Sequence, residues 1–150
     1  MSNNQIQLVC PSCETATLFN VHTGQAQNNT VCPKCKKAFV AWPVRVRAKN
    51  SRQDKRANTR AYSVRVIDVN GGQHLIEFQQ KGIADFELRA GDQAVFSYVN
   101  NKLLMVQNLT VGRHLNLKSG CSVMTLIICG IVLLLLISIC ALASLLKTHL

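Results

Sequence analysis

Charge is missing from one long stretch of this chain, aromatic side chains are few throughout, and no glycine-rich phosphate loop occurs. From Ser119 to Leu146 there is no Asp, Glu, Lys or Arg. About 118 residues lie outside that apolar block, and a cysteine motif takes part of them, which argues against a large enzyme fold. Phe, Trp and Tyr make up 5% of the sequence, against a large aromatic-lined pocket. Gly71-Gly72 has the form of a hairpin turn rather than a Walker or dinucleotide loop. His74 has no Ser or Cys at a catalytic spacing, and Asp85 and Glu87 alternate with Ala84, Phe86 and Leu88, a pattern that points them at solvent. No residue is assigned a catalytic role, and the expectation is a non-enzymatic protein without a small-molecule substrate.

What the chain does have begins at its C-terminal end. Val123 to Leu146 gives 24 uncharged residues, about 36 Å as a helix and long enough for a hydrocarbon core of about 30 Å. The rest of the chain is too short to wrap a helix that is apolar on all sides. The N-terminal MSNNQIQ has neither the basic nor the apolar part of a secretory signal. The expectation is one transmembrane helix over 121–147 after a juxtamembrane segment, 113–120, in a tail-anchored arrangement. Arg113, His114 and Lys118 flank the span on one side against Lys147 on the other, which predicts a cytoplasmic N-terminal part.

Seven of the 150 residues are Cys, and four of them form two pairs. Cys10-Pro-Ser-Cys13 and Cys32-Pro-Lys-Cys35 give a C-x2-C-x18-C-x2-C pattern, the spacing of a four-thiolate zinc site. Each pair presents two sulfurs from one short knuckle. Thr15–Val21 and Thr30–Val31 are expected to run out and back, joined by a turn over His22–Asn29. Lys34, Lys36 and Lys37 stand where they offset the net negative charge of such a centre. Disulfides conflict with a reducing compartment, and a dithiol oxidoreductase wants a βαβ pattern that is absent. Residues 8–41, with CPSC and CPKCKKAF, resemble zinc ribbons of the CPxC…CPxC kind. The resemblance implies a structural zinc on Cys10, Cys13, Cys32 and Cys35, with no function attached. Rubredoxins, which bind iron in a similar cage, usually carry Gly where Glu14 and Lys36 stand here, which disfavours iron. Phe39 and Trp42 are expected to form the apolar patch behind the ribbon.

Between the ribbon (1–42) and the rest lies PVRVRAKNSRQDKRANTR, residues 43–60. It holds Arg45, Arg47, Lys49, Arg52, Lys55, Arg56 and Arg60 against Asp54 alone. The composition predicts a solvated basic linker. Its cations are candidate contacts for anionic lipid headgroups or nucleic-acid phosphates, or for an acidic protein. No aromatic residue is interleaved for base stacking.

Residues 61–112 read as five short strands with turns at Asn70-Gly71-Gly72, Arg89–Asp92 and Asn100-Asn101. A closed or half-closed barrel buries both faces of such a chain and hides its edges. The strand count and the Gly91-Asp92 turn resemble an OB-like small β-barrel, with a twisted meander as the rival. The expected fold class is mostly β: an N-terminal zinc ribbon and a small five-stranded β-barrel, with a C-terminal transmembrane α-helix. The expected function is a membrane-anchored scaffold presenting cytoplasmic modules to a protein partner. The alternatives are a membrane-tethered nucleic-acid binder and an iron or thiol redox module.

Overall fold

Alternation of apolar and polar side chains, more than any apolar run, organises the folded part. The computed structural model describes residues 3–22 and 25–117, and every regular element among them is a strand. These are β1 (Asn3–Val9), β2 (Ala16–His22), β3 (Asn28–Val31), β4 (Ala38–Asp54), β5 (Thr59–Asp68), β6 (Gln73–Lys81), β7 (Gln93–Val99), β8 (Lys102–Asn108) and β9 (Arg113–Asn116). β1 and β2 pair only with each other, antiparallel. The other seven form one antiparallel sheet in the order β6-β5-β4-β7-β8-β9, with β3 also on β4. The expected transmembrane helix over 121–147 lies outside the described residues. Among the described ones no helix is long and apolar enough to cross a membrane.

The 17-residue β4 organises the sheet, and it corrects the expected linker. Residues 43–60 are the second half of β4, a turn and the start of β5. One edge of β4 pairs first with β3 and then with β5, while Val40–Arg45 pair with β7 on the other edge. Val44 and Val46 are buried, so the intervening arginines need only leave by the opposite face. Asp54 Oδ1 accepts the Arg56 and Ala57 N–H groups at 3.0 and 3.1 Å and closes the turn into β5. Basic composition was a misleading guide here, because a strand segment paired along its length with β5 and burying one face tolerates charge on the other.

The register of β4 against β5 shifts between Val46 and Ala48, a bulge that leaves Arg47 unpaired. Before the bulge the even positions Val44 and Val46 face inward. After it the odd positions do, because Lys49 and Ser51 stand opposite the buried Val64 and Tyr62. Ala48, Asn50 and Arg52 therefore share the outer face.

Two cores lie on opposite faces of the same strands. The inner one gathers Val44, Val46, Tyr62, Val64, Val66, Ile76, Phe86, Leu88, Ala94, Phe96 and Val106. The sheet curls around it, since the rings of Phe78 on β6 and Phe96 on β7 lie 6.2 Å apart although β5 and β4 intervene. The outer core holds Leu8, Cys10, Phe19, Cys32, Phe39, Ala41 and Val95. Phe39 thus backs the cysteines as expected, edge-on to Phe19 at 5.4 Å. Trp42 does not: three positions along β4 it faces the inner core, against His74 and Tyr98.

The barrel expected from 61–112 alone is also revised. That range contributes four strands rather than five, and β4 supplies the centre of the sheet from outside it. Residues 83–88, expected as a strand, cross the sheet without pairing. Side chains satisfy their backbone instead. Arg60 Nε donates to Ile83 O at 2.9 Å, the Tyr62 hydroxyl donates to Ala84 O and accepts the Phe86 N–H at 2.8 Å, and Gln80 Nε2 also donates to Ala84 O. Lys49 Nζ donates to Phe86 O and Asn108 Nδ2 donates to Glu87 O. The strap seats Phe86 and Leu88 in the inner core. Part of the expected juxtamembrane segment, Arg113–Asn116, is the edge strand β9.

Candidate metal centre

Each Cys-Pro-x-Cys occupies the turn of a hairpin, β1–β2 or β3–β4, and the two turns have the same geometry. The Cys10 N–H donates to Thr15 O at 3.0 Å and the Glu14 N–H to Cys10 O at 2.9 Å. In the second turn the Cys32 N–H donates to Lys37 O at 3.0 Å and the Lys36 N–H to Cys32 O at 2.9 Å. Pro after the first Cys presets the turn's backbone. The residue after the second Cys is left-handed in both, with φ of 58° at Glu14 and 60° at Lys36. Those are the positions where the rubredoxin comparison wants Gly, and an L side chain there costs about 1–2 kcal/mol.

The turns face each other with their sulfurs interleaved. Cys10 Sγ lies 3.8 Å from Cys35 Sγ, Cys13 Sγ lies 3.7 Å from Cys32 Sγ, and all four fall within 4.8 Å of one another. A tetrahedral ion with metal–sulfur bonds of about 2.3 Å needs sulfur separations of about 3.8 Å, so the donor set and its spacing fit one. Cys10 and Cys32 are buried, and Cys13 and Cys35 are half-buried. Burial pushes the Cys10 thiol up to about 12. The hydrogen bond with the Thr15 side chain, aided by the local backbone, draws Cys13 down to about 6. Cys32 is lowered chiefly by a backbone hydrogen bond at Cys35. Metal binding must displace the protons that remain. Lys34, Lys36 and Lys37 are exposed around the second turn.

The centre is tied to the sheet at a residue that sequence reasoning passed over. Gln107, buried on β8, accepts the Val9 N–H at 2.8 Å and donates to Val9 O at 2.9 Å. Its amide thus behaves as a strand neighbour for the residue preceding Cys10. Asn116 Nδ2 reaches Glu14 Oε1 at 2.6 Å from β9. Nothing short of the tertiary fold distinguishes Gln107 from an ordinary polar residue in the run KLLMVQN.

The seven basic candidates are not gathered at the metal centre, and they divide into two sets. Lys49 Nζ lies 2.8 Å from Asp85 Oδ2, and Arg60 binds Ile83 O and, through Nη1, Ser51 Oγ at 2.9 Å, so these two hold the strap. Arg45, Arg47, Arg52, Lys55 and Arg56 are exposed. Comparison with known proteins gives this arrangement no neighbour: no family model matches the chain, and no match was found among curated proteins or solved structures.

Proposed function

We propose that the chain is a membrane-anchored, non-enzymatic adaptor in which a structural zinc braces a small OB-like β-module, presented on the cytoplasmic side to a protein partner. The observation that carries the reading is the set of four sulfurs at tetrahedral spacing. A fully thiolate-ligated ion has no open position for a substrate or an activated water, which is the property of a structural zinc site rather than a catalytic one. Zinc is preferred to iron because Glu14 and Lys36 stand where rubredoxins usually carry Gly, and to disulfides because the reducing compartment expected for the N-terminal part keeps the thiols free. The uncharged run Val123–Leu146 supports the anchor. The nine-residue β6 pairs with β5 on one side and with no other strand among the described residues, an edge to which a partner's strand can add.

The test is metal content and membrane extraction of the full chain. One zinc per chain in a colourless preparation, with the protein retained in membranes through an alkaline wash, is the expected result. An iron chromophore would move the protein to the redox alternative, and release by the wash would remove the anchor.

A further inference from the structure

The outer face of the sheet is divided. The metal-bearing turns and their apolar backing cover the part formed by the start of β4 with β7 and β8, where Phe39, Ala41, Val95 and Gln107 point outward into cover. Beyond Ala41 that cover stops and arginines begin. Arg45 and Arg47 alternate with the buried Val44 and Val46, and the bulge then puts Arg52 on the same face. Arg65, opposite Ala48 on β5, joins them. It lies outside the basic run that composition singles out, and only the strand register brings it in.

This cluster differs from Lys49 and Arg60 of the run in being unneutralised. Lys49 and Arg60 turn inward to Asp85. None of Arg45, Arg47, Arg52 and Arg65 forms an ion pair among the described residues, and all are exposed. Glu77 shares their face without pairing to them. Small residues in the middle of β5, Ala61 and Ser63, leave an open trough of about 490 Å³ beside Arg52. Apolar side chains flank the charges as well: Leu75, directly opposite Arg65, is 58% exposed, and Val69, in the turn after β5, is 47% exposed.

We propose that this face of β4, β5 and β6 docks on an anionic lipid bilayer, with Arg45, Arg47, Arg52 and Arg65 on headgroup phosphates and carboxylates and Leu75 and Val69 reaching below them. Cations with interspersed apolar side chains match the polar–apolar boundary of a membrane. A nucleic acid would leave Leu75 and Val69 against phosphates, and the face offers no aromatic ring for a base. The inference rests on the membrane-associated reading only for the nearness of a bilayer; the cation layout is independent of the anchor.

The experiment is hydrogen exchange on the full, zinc-containing chain with vesicles of neutral phosphatidylcholine, alone or with roughly one-third phosphatidylserine. Exchange over residues 61–79 is expected to slow at least about threefold with phosphatidylserine and to recover at about 0.5 M salt. The combined Arg45→Gln, Arg47→Gln, Arg52→Gln and Arg65→Gln variant should lose the slowing while keeping its zinc, whereas Lys102→Gln should keep both. Equal exchange in the two vesicles overturns the proposal. So does slowing caused by a short duplex DNA or RNA but not by phosphatidylserine. An alkaline wash of the same samples separates the two readings: retained protein without a phosphatidylserine effect leaves the anchor and removes the arginine face, and washed-off protein with that effect does the reverse.

Discussion

The two cores share β4 and β7 yet are held by different means. The inner core is built from large apolar side chains, closed by a strap whose backbone groups are satisfied by Tyr62, Arg60, Lys49, Gln80 and Asn108. The outer core is smaller, includes two of the four cysteines, and backs onto β1 and β2, a two-stranded sheet of the kind that is marginal alone in water. The difference teaches that one strand can serve a core of large apolar side chains on one face and, on the other, a small apolar cluster beside four sulfurs spaced to hold a metal ion. On the proposed function, the ion supplies what the small cluster lacks.

The sharpest way to break this contrast is to remove the metal. Chelation, or Cys10→Ser or Cys32→Ser, should abolish tight zinc binding, a term of order 10 kcal/mol in small zinc domains. Hydrogen exchange should then show lost protection over β1–β3 with β5–β8 retained; uniform loss would mean the cores are one cooperative unit. The converse substitution is Phe96→Ala, which empties the centre of the inner core. It should cost about 3–5 kcal/mol in denaturant unfolding while the zinc stoichiometry stays unchanged. Gln107→Ala tests the tie between the cores, expected at about 1–3 kcal/mol because it leaves both Val9 backbone groups without their partner. A competition titration should show weaker zinc binding although no ligand is altered. Lys36→Gly relieves the left-handed residue of the second turn and should stabilise the holo protein by about 1 kcal/mol or less, read as a rise in melting temperature.

The smallest effect belongs to the inner core's far turn. The hydrogen bond from His74 at 2.9 Å, with N–H groups of Gly72 and Asn70, holds the Asp68 carboxyl below the usual carboxylate range. Its stabilising contribution is therefore complete above about pH 4, the ordinary carboxylate value, and is lost as the pH falls through the lowered one. The stability difference between the wild type and Asp68→Asn should shrink below that pH, and a difference independent of pH would separate this turn's stability from its carboxylate hydrogen bonds.

Much of the centre was legible because the cysteine spacing encodes it directly: two short knuckles leave four sulfurs few ways to meet. Phe39 was legible too, through its nearness to the second knuckle. The β4 strand was not, since Arg45 to Arg60 read as solvated chain, and what overrides composition is continuous pairing with β5 plus two buried valines. Ile83–Leu88 failed the other way. Its apolar residues suggested a strand, but the backbone partners it found were side chains from distant strands, and no local pattern announces those. Arg65 and Gln107 acquire their roles only through register.

A strand reads in a frame of two, and β4 changes frame once, at Arg47. Upstream, the even positions supply apolar side chains to the interior; downstream, the odd positions supply Lys49 to hold the strap at Asp85. Without the bulge Arg47 would take its own partner on β5, and inside and outside would be exchanged for the whole distal half of the strand, with Lys49 turned to solvent and Asn50 and Arg52 turned in. Removing Arg47 itself would instead straighten the strand and keep both faces, because Ala48 would then follow Val46 in simple alternation opposite Arg65 and Val66. One unpaired residue thus decides which of this segment's charges point outward, a constraint invisible to any count of them.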